Sequence, residues 1–183
     1  MVNNYLVVAA TRAEVKYLPG HLPVVITGIG KTAAAVITAQ ALSDRDRRDL
    51  VVINLGSTGA LRDGLDGVYL PSSVINHDMN ADAIRALGYD PADVLPIEGG
   101  DGTVLASGDT FVTDPVIRAR LAERAHLVDM EAYGIAYACR QYDVPLRLVK
   151  HVSDNADESS VDWPALVDRS AHALADWAKA NLT

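Results

Sequence analysis

The sequence has a single cysteine, Cys139, among its 183 residues. One thiol cannot close a disulfide within the chain, which fits a reducing compartment, and a cytoplasmic protein is expected. Cations are scarce: 16 Lys and Arg stand against 24 Asp and Glu, a net charge of −8. That balance argues against nucleic acid or an anionic membrane as the main partner, because phosphate contacts need surplus Lys and Arg. It does not exclude a small nucleoside or nucleotide. Long hydrophobic runs are missing too; none approaches the roughly 18 residues of a membrane span. The short N-terminal run YLVVAA has no basic residue before it, so no signal peptide is expected. Repeats, low-complexity tracts and linker-like stretches are also absent. With 49% apolar residues the chain reads as a folded globular protein, and one domain over 1–183 is expected.

Several familiar motifs fail for want of one residue. The stretch VITGIGKT (25–32) runs from a strand pattern into an alanine-rich helix pattern and looks like a phosphate loop. A Walker loop, G-x-x-x-x-G-K-[ST], requires glycine where this chain has Val25. Gly28, Gly30 and Ala33 match a dinucleotide fingerprint, but the next strand ends in Asn54-Leu55-Gly56 rather than in an acid for the ribose hydroxyls. The glycines therefore read as a tight strand-to-helix turn, and Lys31 as solvated or structural. The acidic stretch SDNADESSVD lacks the glycine and glutamate positions of a calcium loop. His21, His77, His126, His151 and His172 show no metal-ligand spacing. His77 beside Asp78 fits a pocket wall and a self-satisfied loop pair equally. Ser57 and Ser107 have no base at a recognisable spacing, so a nucleophilic triad finds no support.

What is present is an alternation of short β-branched runs and helical patterns. Residues 5–9, 23–27, 50–55, 67–75, 103–107, 126–129 and 145–153 read as strands, several apolar throughout as in strands buried on both faces. Residues 31–42, 115–124 and 130–142 read as helices, with a last helix starting near Asp162. Asp114 followed by Pro115 is a strong helix start, and Ile135, Ala138, Cys139 and Tyr142 share one helical face. The fold class that follows is α/β: a three-layer α/β/α domain with a mixed, mainly parallel sheet. In such sheets ligands bind beyond the carboxyl ends of the strands. The segments TRAE, TGIGKT, NLGSTG, SGDTF, DME and SDNAD all fall there, expected as loops around one pocket, with Glu14, Glu131 and Asp154 as its carboxylates.

AATRAEV, TGIGKT, NLGSTGAL, VINHD, LASGDTFV, LVDMEAYGIAYACRQYDVP and LVKHVSDNAD stand in the order found in the nucleoside phosphorylase superfamily. The chain most resembles its hydrolytic branch, the methylthioadenosine/S-adenosylhomocysteine nucleosidases. That resemblance implies roles. Glu131 resembles the glutamate that binds the ribose hydroxyls, with Met130 packing beside the sugar. Asp154, preceded by Ser153, resembles the acid that protonates purine N7. Glu14 falls where nucleosidases keep the glutamate that positions the attacking water. Phe111 and Val112 match the segment that stacks on the base, and Gly56, Ser57, Thr58 and Gly59 match the turn lining the nucleoside pocket. Lys150 stands where the family often has arginine, and residues 77–101 do not align cleanly.

These residue types suit the chemistry. Cleaving an N-glycosidic bond builds positive charge on the sugar and negative charge on the leaving base. An acid at N7 neutralises the base, and anionic carboxylates favour the sugar cation. The acid must carry its proton when substrate is bound, a state that burial and neighbouring carboxylates favour. The resemblance implies no metal and no cofactor, a nucleoside as the small-molecule partner, and a homodimer, for which ALGY (86–89) is the expected contact. Taken singly, Glu14 and Glu131 read as first-turn acids of helices and Asp154 as a turn residue. Their order at strand ends makes the functional reading mutually consistent. A phosphate-dependent phosphorylase would instead gather arginines and lysines such as Arg12, Lys31 and Arg62, with Glu14 repelling the anion. A nucleoside-binding module without catalysis would not need all three acids.

Overall fold

The computed structural model describes residues 4–157 and 163–182. In chain order the elements are β1 (Asn4–Ala9), β2 (Val24–Ile26), α1 (Lys31–Ser43), β3 (Leu50–Ala60), β4 (Val68–Tyr69), β5 (Ser73–Asn76) and α2 (Ala81–Ala86). They continue with β6 (Val94–Pro96), β7 (Val104–Ser107), α3 (Pro115–Ala122), β8 (Leu127–Asp129), α4 (Ala132–Gln141), β9 (Leu146–Asp154) and α5 (Trp163–Asn181). The expected start of the last helix, Asp162, lies outside the described residues.

The apolar runs alternate between two faces, and this creates the layers. Leu6, Val8 and Val52 pack with Ala34 and Leu42 of α1 and Ile135 and Cys139 of α4. Their neighbours Val7, Ile53 and Val149 pack on the other face with Leu174 and Ala178 of α5. A period-two pattern that is apolar at every position therefore places helices on both sides of the sheet. Each fully buried Leu or Ile contributes about 1.5–3 kcal/mol. Cys139 belongs to this packing: burial pushes its thiol up to about 12, so it acts as a small apolar residue.

The sheet runs β2-β1-β3-β8-β7-β5-β6, with β9 paired to β3 and β4. The β1/β2, β1/β3, β3/β9, β5/β7 and β7/β8 pairs are parallel, and β3/β8, β4/β9 and β5/β6 are antiparallel. The expected mixed, mainly parallel α/β/α arrangement is thus observed. Helix α3 starts as its sequence signals, with the Asp114 carboxylate accepting from the Val116 and Ile117 N–H groups. Helices α1 and α4 cross at Gly134, where a Cβ would stand 2.3 Å from the Lys31 carbonyl oxygen, so a side chain there would push the two helices apart.

Three expectations need correction. NLGSTG is not a loop: β3 runs through it to Ala60, pairing with β9 and then β8. Its glycines make room instead of a turn, since a Cβ on Gly56 would lie 3.0 Å from Lys150 Nζ and one on Gly59 3.1 Å from Asp154 Oδ1. Likewise β9 runs one residue past the expected 145–153, so Asp154 ends the strand rather than lying in a loop. Residues 67–75 form two strands, because Pro71 has no N–H to donate and the flanking pieces pair with different partners, β4 with β9 and β5 with β6 and β7. Helix α2 and strand β6, both in the 77–101 region, gave no clear periodic signal because each is so short.

Candidate functional site

All six segments expected around the pocket contribute to one cavity of about 290 Å³. It is lined by Ala10, Thr11, Glu14, Ile29, Ser57, Thr58, Gly59, Thr110, Phe111, Val112, Val128, Asp129, Met130, Glu131, Ser153, Asp154 and Ala156. Apart from Gly56, every sequence-expected site residue is therefore at the cavity wall. The sheet explains this convergence: β1, β3 and β9 run parallel side by side and deliver Thr11–Glu14, Ser57–Gly59 and Ser153–Asp154 at the same end, and β8 brings Asp129–Glu131 beside them. The volume and the mainly apolar wall with a few convergent acids suit one small ligand.

Glu14 is buried and held by four donors. Its Oε2 accepts from Thr11 N–H at 3.0 Å and Thr11 Oγ at 3.1 Å; its Oε1 accepts from Ser57 N–H at 2.8 Å and Ser57 Oγ at 3.0 Å. Both oxygens are thus fixed, leaving the two hydroxyls as the rotatable partners. Asp154 is fixed on two sides: Oδ1 accepts from the Ala156 N–H at 2.8 Å and Oδ2 from Ser153 Oγ at 2.6 Å. Ser153 Oγ also lies 3.3 Å from the Thr58 carbonyl. Its one proton can go to that carbonyl when the carboxyl is protonated, so the pair accommodates either state of Asp154.

Glu131 stands just before α4 and accepts from the Gly30 N–H at 2.9 Å. Desolvation, then the nearby Asp129 charge, raises its pKa from 4.5 to about 7, against the opposing effects of Gly30 and Lys150. The site therefore stores a carboxyl group poised between its two states near neutrality.

Sequence reasoning did not assign Asp129 or Lys150 a role. They form a buried ion pair, Lys150 Nζ to Asp129 Oδ2 at 2.8 Å, with side chains 2% and 1% exposed. Asp129 also accepts from the Ala132 N–H and so caps α4. The Lys150 ammonium thus offsets the charge of Asp129, one of the carboxylates at the cavity wall. A lysine inside the apolar strand LRLVKHV was the available signal, since a buried ammonium demands a partner. Two of the cations considered for an anion site are occupied elsewhere. Lys31 Nζ bonds Asn76 Oδ1 at 2.6 Å and pairs with Asp78, and Arg62 donates to the Ala122 carbonyl. Among the described residues no group of three or more His, Cys, Asp or Glu side chains could hold a metal ion, and no helix is long and apolar enough to cross a membrane.

A family model described as the phosphorylase superfamily matches residues 100–181. The 5′-methylthioadenosine/S-adenosylhomocysteine nucleosidase of Shewanella oneidensis is 30% identical over 196 aligned positions, covering 88% of this chain and 81% of that protein. Its counterpart in Shewanella piezotolerans is 31% identical, covering 85% of this chain and 80% of the relative. Among solved structures, a Helicobacter pylori nucleosidase with 5′-methylthioadenosine in its active site superimposes with a TM-score of 0.83 at 23% identity, covering 98% of each chain. A Helicobacter pylori futalosine hydrolase superimposes with a TM-score of 0.82 at 21% identity, covering 98% of this chain and 97% of the other. The two structures share the fold; the sequence relationship, together with the cavity, gives the family. This chain belongs to the 5′-methylthioadenosine/S-adenosylhomocysteine nucleosidases of the phosphorylase superfamily.

Proposed function

We propose that the protein hydrolyses the N-glycosidic bond of a purine nucleoside or 5′-thionucleoside of the methylthioadenosine/S-adenosylhomocysteine type, releasing adenine or another purine. The observation that carries this reading is the meeting of Glu14, Glu131 and Asp154 at one small cavity whose wall is otherwise largely apolar. In this assignment Glu131 takes the ribose hydroxyls, Met130 packs beside the sugar, and Phe111 and Val112 flank the base. Ser57, Thr58 and Gly59 form the floor under the nucleoside.

The reaction follows from the placement of the acids. Asp154 gives its proton to purine N7, with Ser153 Oγ steadying the carboxyl in both states. The electron pair of the C1′–N9 bond leaves with the base, which departs neutral. The positive charge left on the sugar is favoured by the carboxylates around it. A water takes the place of the Ser57 or Thr11 hydroxyl on Glu14, attacks C1′ and leaves its proton on that carboxylate. The products are a free base and a free sugar.

Phosphorolysis has less support, because no lysine or arginine lines the cavity among the described residues and Lys150 is committed to Asp129. The deciding experiment incubates the protein with 5′-methylthioadenosine, S-adenosylhomocysteine, adenosine and inosine, with and without phosphate, and identifies the sugar product. Free sugar without phosphate is the expected result. Sugar 1-phosphate would move the protein to the phosphorylases, and tight binding without turnover would make it a nucleoside-binding module.

The same reading places the protein in the cytoplasm as a homodimer. Leu87 and Tyr89, in the ALGY segment, are 75% and 70% exposed, which supports a protein contact there. Size-exclusion chromatography with light scattering is expected to give a dimer that Leu87→Asp weakens; an active wild-type monomer would refute the assembly.

A further inference from the structure

Helix α1 starts without a cap of its own. Gly30 at its N-cap has no side chain to offer, and the first turn holds no acid. Its free N–H groups are taken by carboxylates distant in sequence: Gly30 N–H by Glu131, and Lys31 N–H by Asp109 Oδ1 at 2.7 Å. Asp109 is tied in turn. Its own N–H donates to Asp78 Oδ2 at 2.8 Å, and the other Asp78 oxygen meets the Lys31 ammonium. Lys31 Nζ also bonds Asn76 Oδ1 at 2.6 Å and lies 4.0 Å from Asp109 Oδ2. The circuit leaves from the backbone of Lys31 and returns to its side chain. Lys31 is only 15% exposed in its side chain and Asp78 29%, so water competes weakly for the bond between them, whereas the Asp109 side chain is 53% exposed and its bond to the Lys31 N–H faces solvent. Burial works against ionisation of Asp78, but the hydrogen bonds from Lys31 and from the Asp109 N–H outweigh it and hold its pKa below the ordinary value.

Directly after Asp109 come Thr110, Phe111 and Val112, all at the cavity wall. The helix start that bonds Glu131 thus also anchors the segment that lines the same cavity. We propose that Asp109 is a positioning residue that sets Thr110–Val112 against the purine, held by an ionic clasp that Lys31 closes with Asp78. This rests on the nucleosidase reading only in taking the base to lie against Phe111.

The clasp makes recognition of the base, rather than bond cleavage, sensitive to Asp109. In Asp109→Ala, amide hydrogen exchange over residues 108–112 is expected to accelerate about tenfold or more, as local opening becomes easier. Adenine affinity should fall about tenfold, and KM for 5′-methylthioadenosine should rise by a similar factor with kcat within about threefold. Asp109→Asn keeps an oxygen for the Lys31 N–H and should fall between wild type and Ala. Lys31→Met keeps the backbone donor, removes the ammonium, and should shift the same readouts in the same direction. A mere helix cap would lower the melting temperature and leave adenine affinity of the folded variant unchanged. Unchanged exchange over 108–112 in the folded variants, or faster exchange with unchanged adenine affinity, overturns the proposal. If the wild type neither cleaves nucleosides nor binds adenine, the nucleosidase reading fails, and the exchange measurement alone decides the clasp.

Discussion

Replacing Glu131 by glutamine should change how stability depends on pH, and the size of the change follows from the site. Burial and the adjacent Asp129 raise the Glu131 pKa from 4.5 to about 7 in the folded protein. The folded state therefore holds a proton that the unfolded chain has released between these two values. Stability from this group is fully present below pH 4.5 and is lost as the pH rises through about 7. At about 1.4 kcal/mol per pH unit, the loss is on the order of 3 kcal/mol. A glutamine at this position carries no titrating proton, so the variant's stability curve lacks this decline. Urea unfolding of both proteins at about pH 4.5, 5.5, 6.5 and 7.5 measures the effect as a difference, which cancels groups that titrate alike in both. The variant should gain on the wild type steadily from about pH 5 upward. Parallel curves would show that Glu131 is charged throughout the range, and the stated balance of desolvation against Gly30 and Lys150 would be wrong. The same proton links to ligand: if ribose hydroxyls donate to an ionised Glu131, kcat/KM should rise with pH through about 7, and the Glu131→Gln variant should lose that limb.

Asp154→Asn should lower turnover roughly 10²-fold or more while the fold persists, because asparagine keeps an oxygen for the Ala156 N–H and can donate its amide N–H to Ser153 Oγ but cannot protonate N7; steady-state kinetics beside a thermal melt checks this, and unchanged turnover removes Asp154 from the acid role. Lys150→Met should destabilise by about 3–5 kcal/mol, since it leaves Asp129 buried without its counter-charge. Denaturant titration reads the loss, and a double variant with Asp129→Asn should recover much of it.

Much of the site was legible because its acids sit in short polar segments that interrupt apolar runs. Glu14, Glu131 and Asp154 each stand at the end of a strand pattern; parallel β1, β3 and β9 bring Glu14 and Asp154 to one end, and β8, antiparallel to β3, brings Glu131 to the same place. Helix α3 was equally legible, since Asp114 and Pro115 act within one turn. The reading of VITGIGKT as a turn rather than a phosphate loop rested on one residue, Val25. In the fold that stretch serves as an anchor, because Gly30 and Lys31 hold Glu131 and Asp109 with their backbone N–H groups.

The misreadings share a cause. NLGSTG looked like a loop because glycine, serine and threonine favour turns locally. Its strand conformation comes from β9 and β8, whose partner residues lie about a hundred and about seventy positions further along the chain. The run 67–75 looked like one strand because nothing local says that its halves join different partners. By itself, then, the sequence determined the alternation of elements, the double-sided burial of the sheet, and the presence of three acids at strand ends, since each depends on residues within a few positions of one another. The tertiary structure alone decided the Lys150–Asp129 pair, the two Ser57 donors on Glu14 and the circuit through Lys31, Asp78 and Asp109. Those contacts join groups brought together by strand register and helix packing, and no local pattern of residues encodes a distance across a folded sheet.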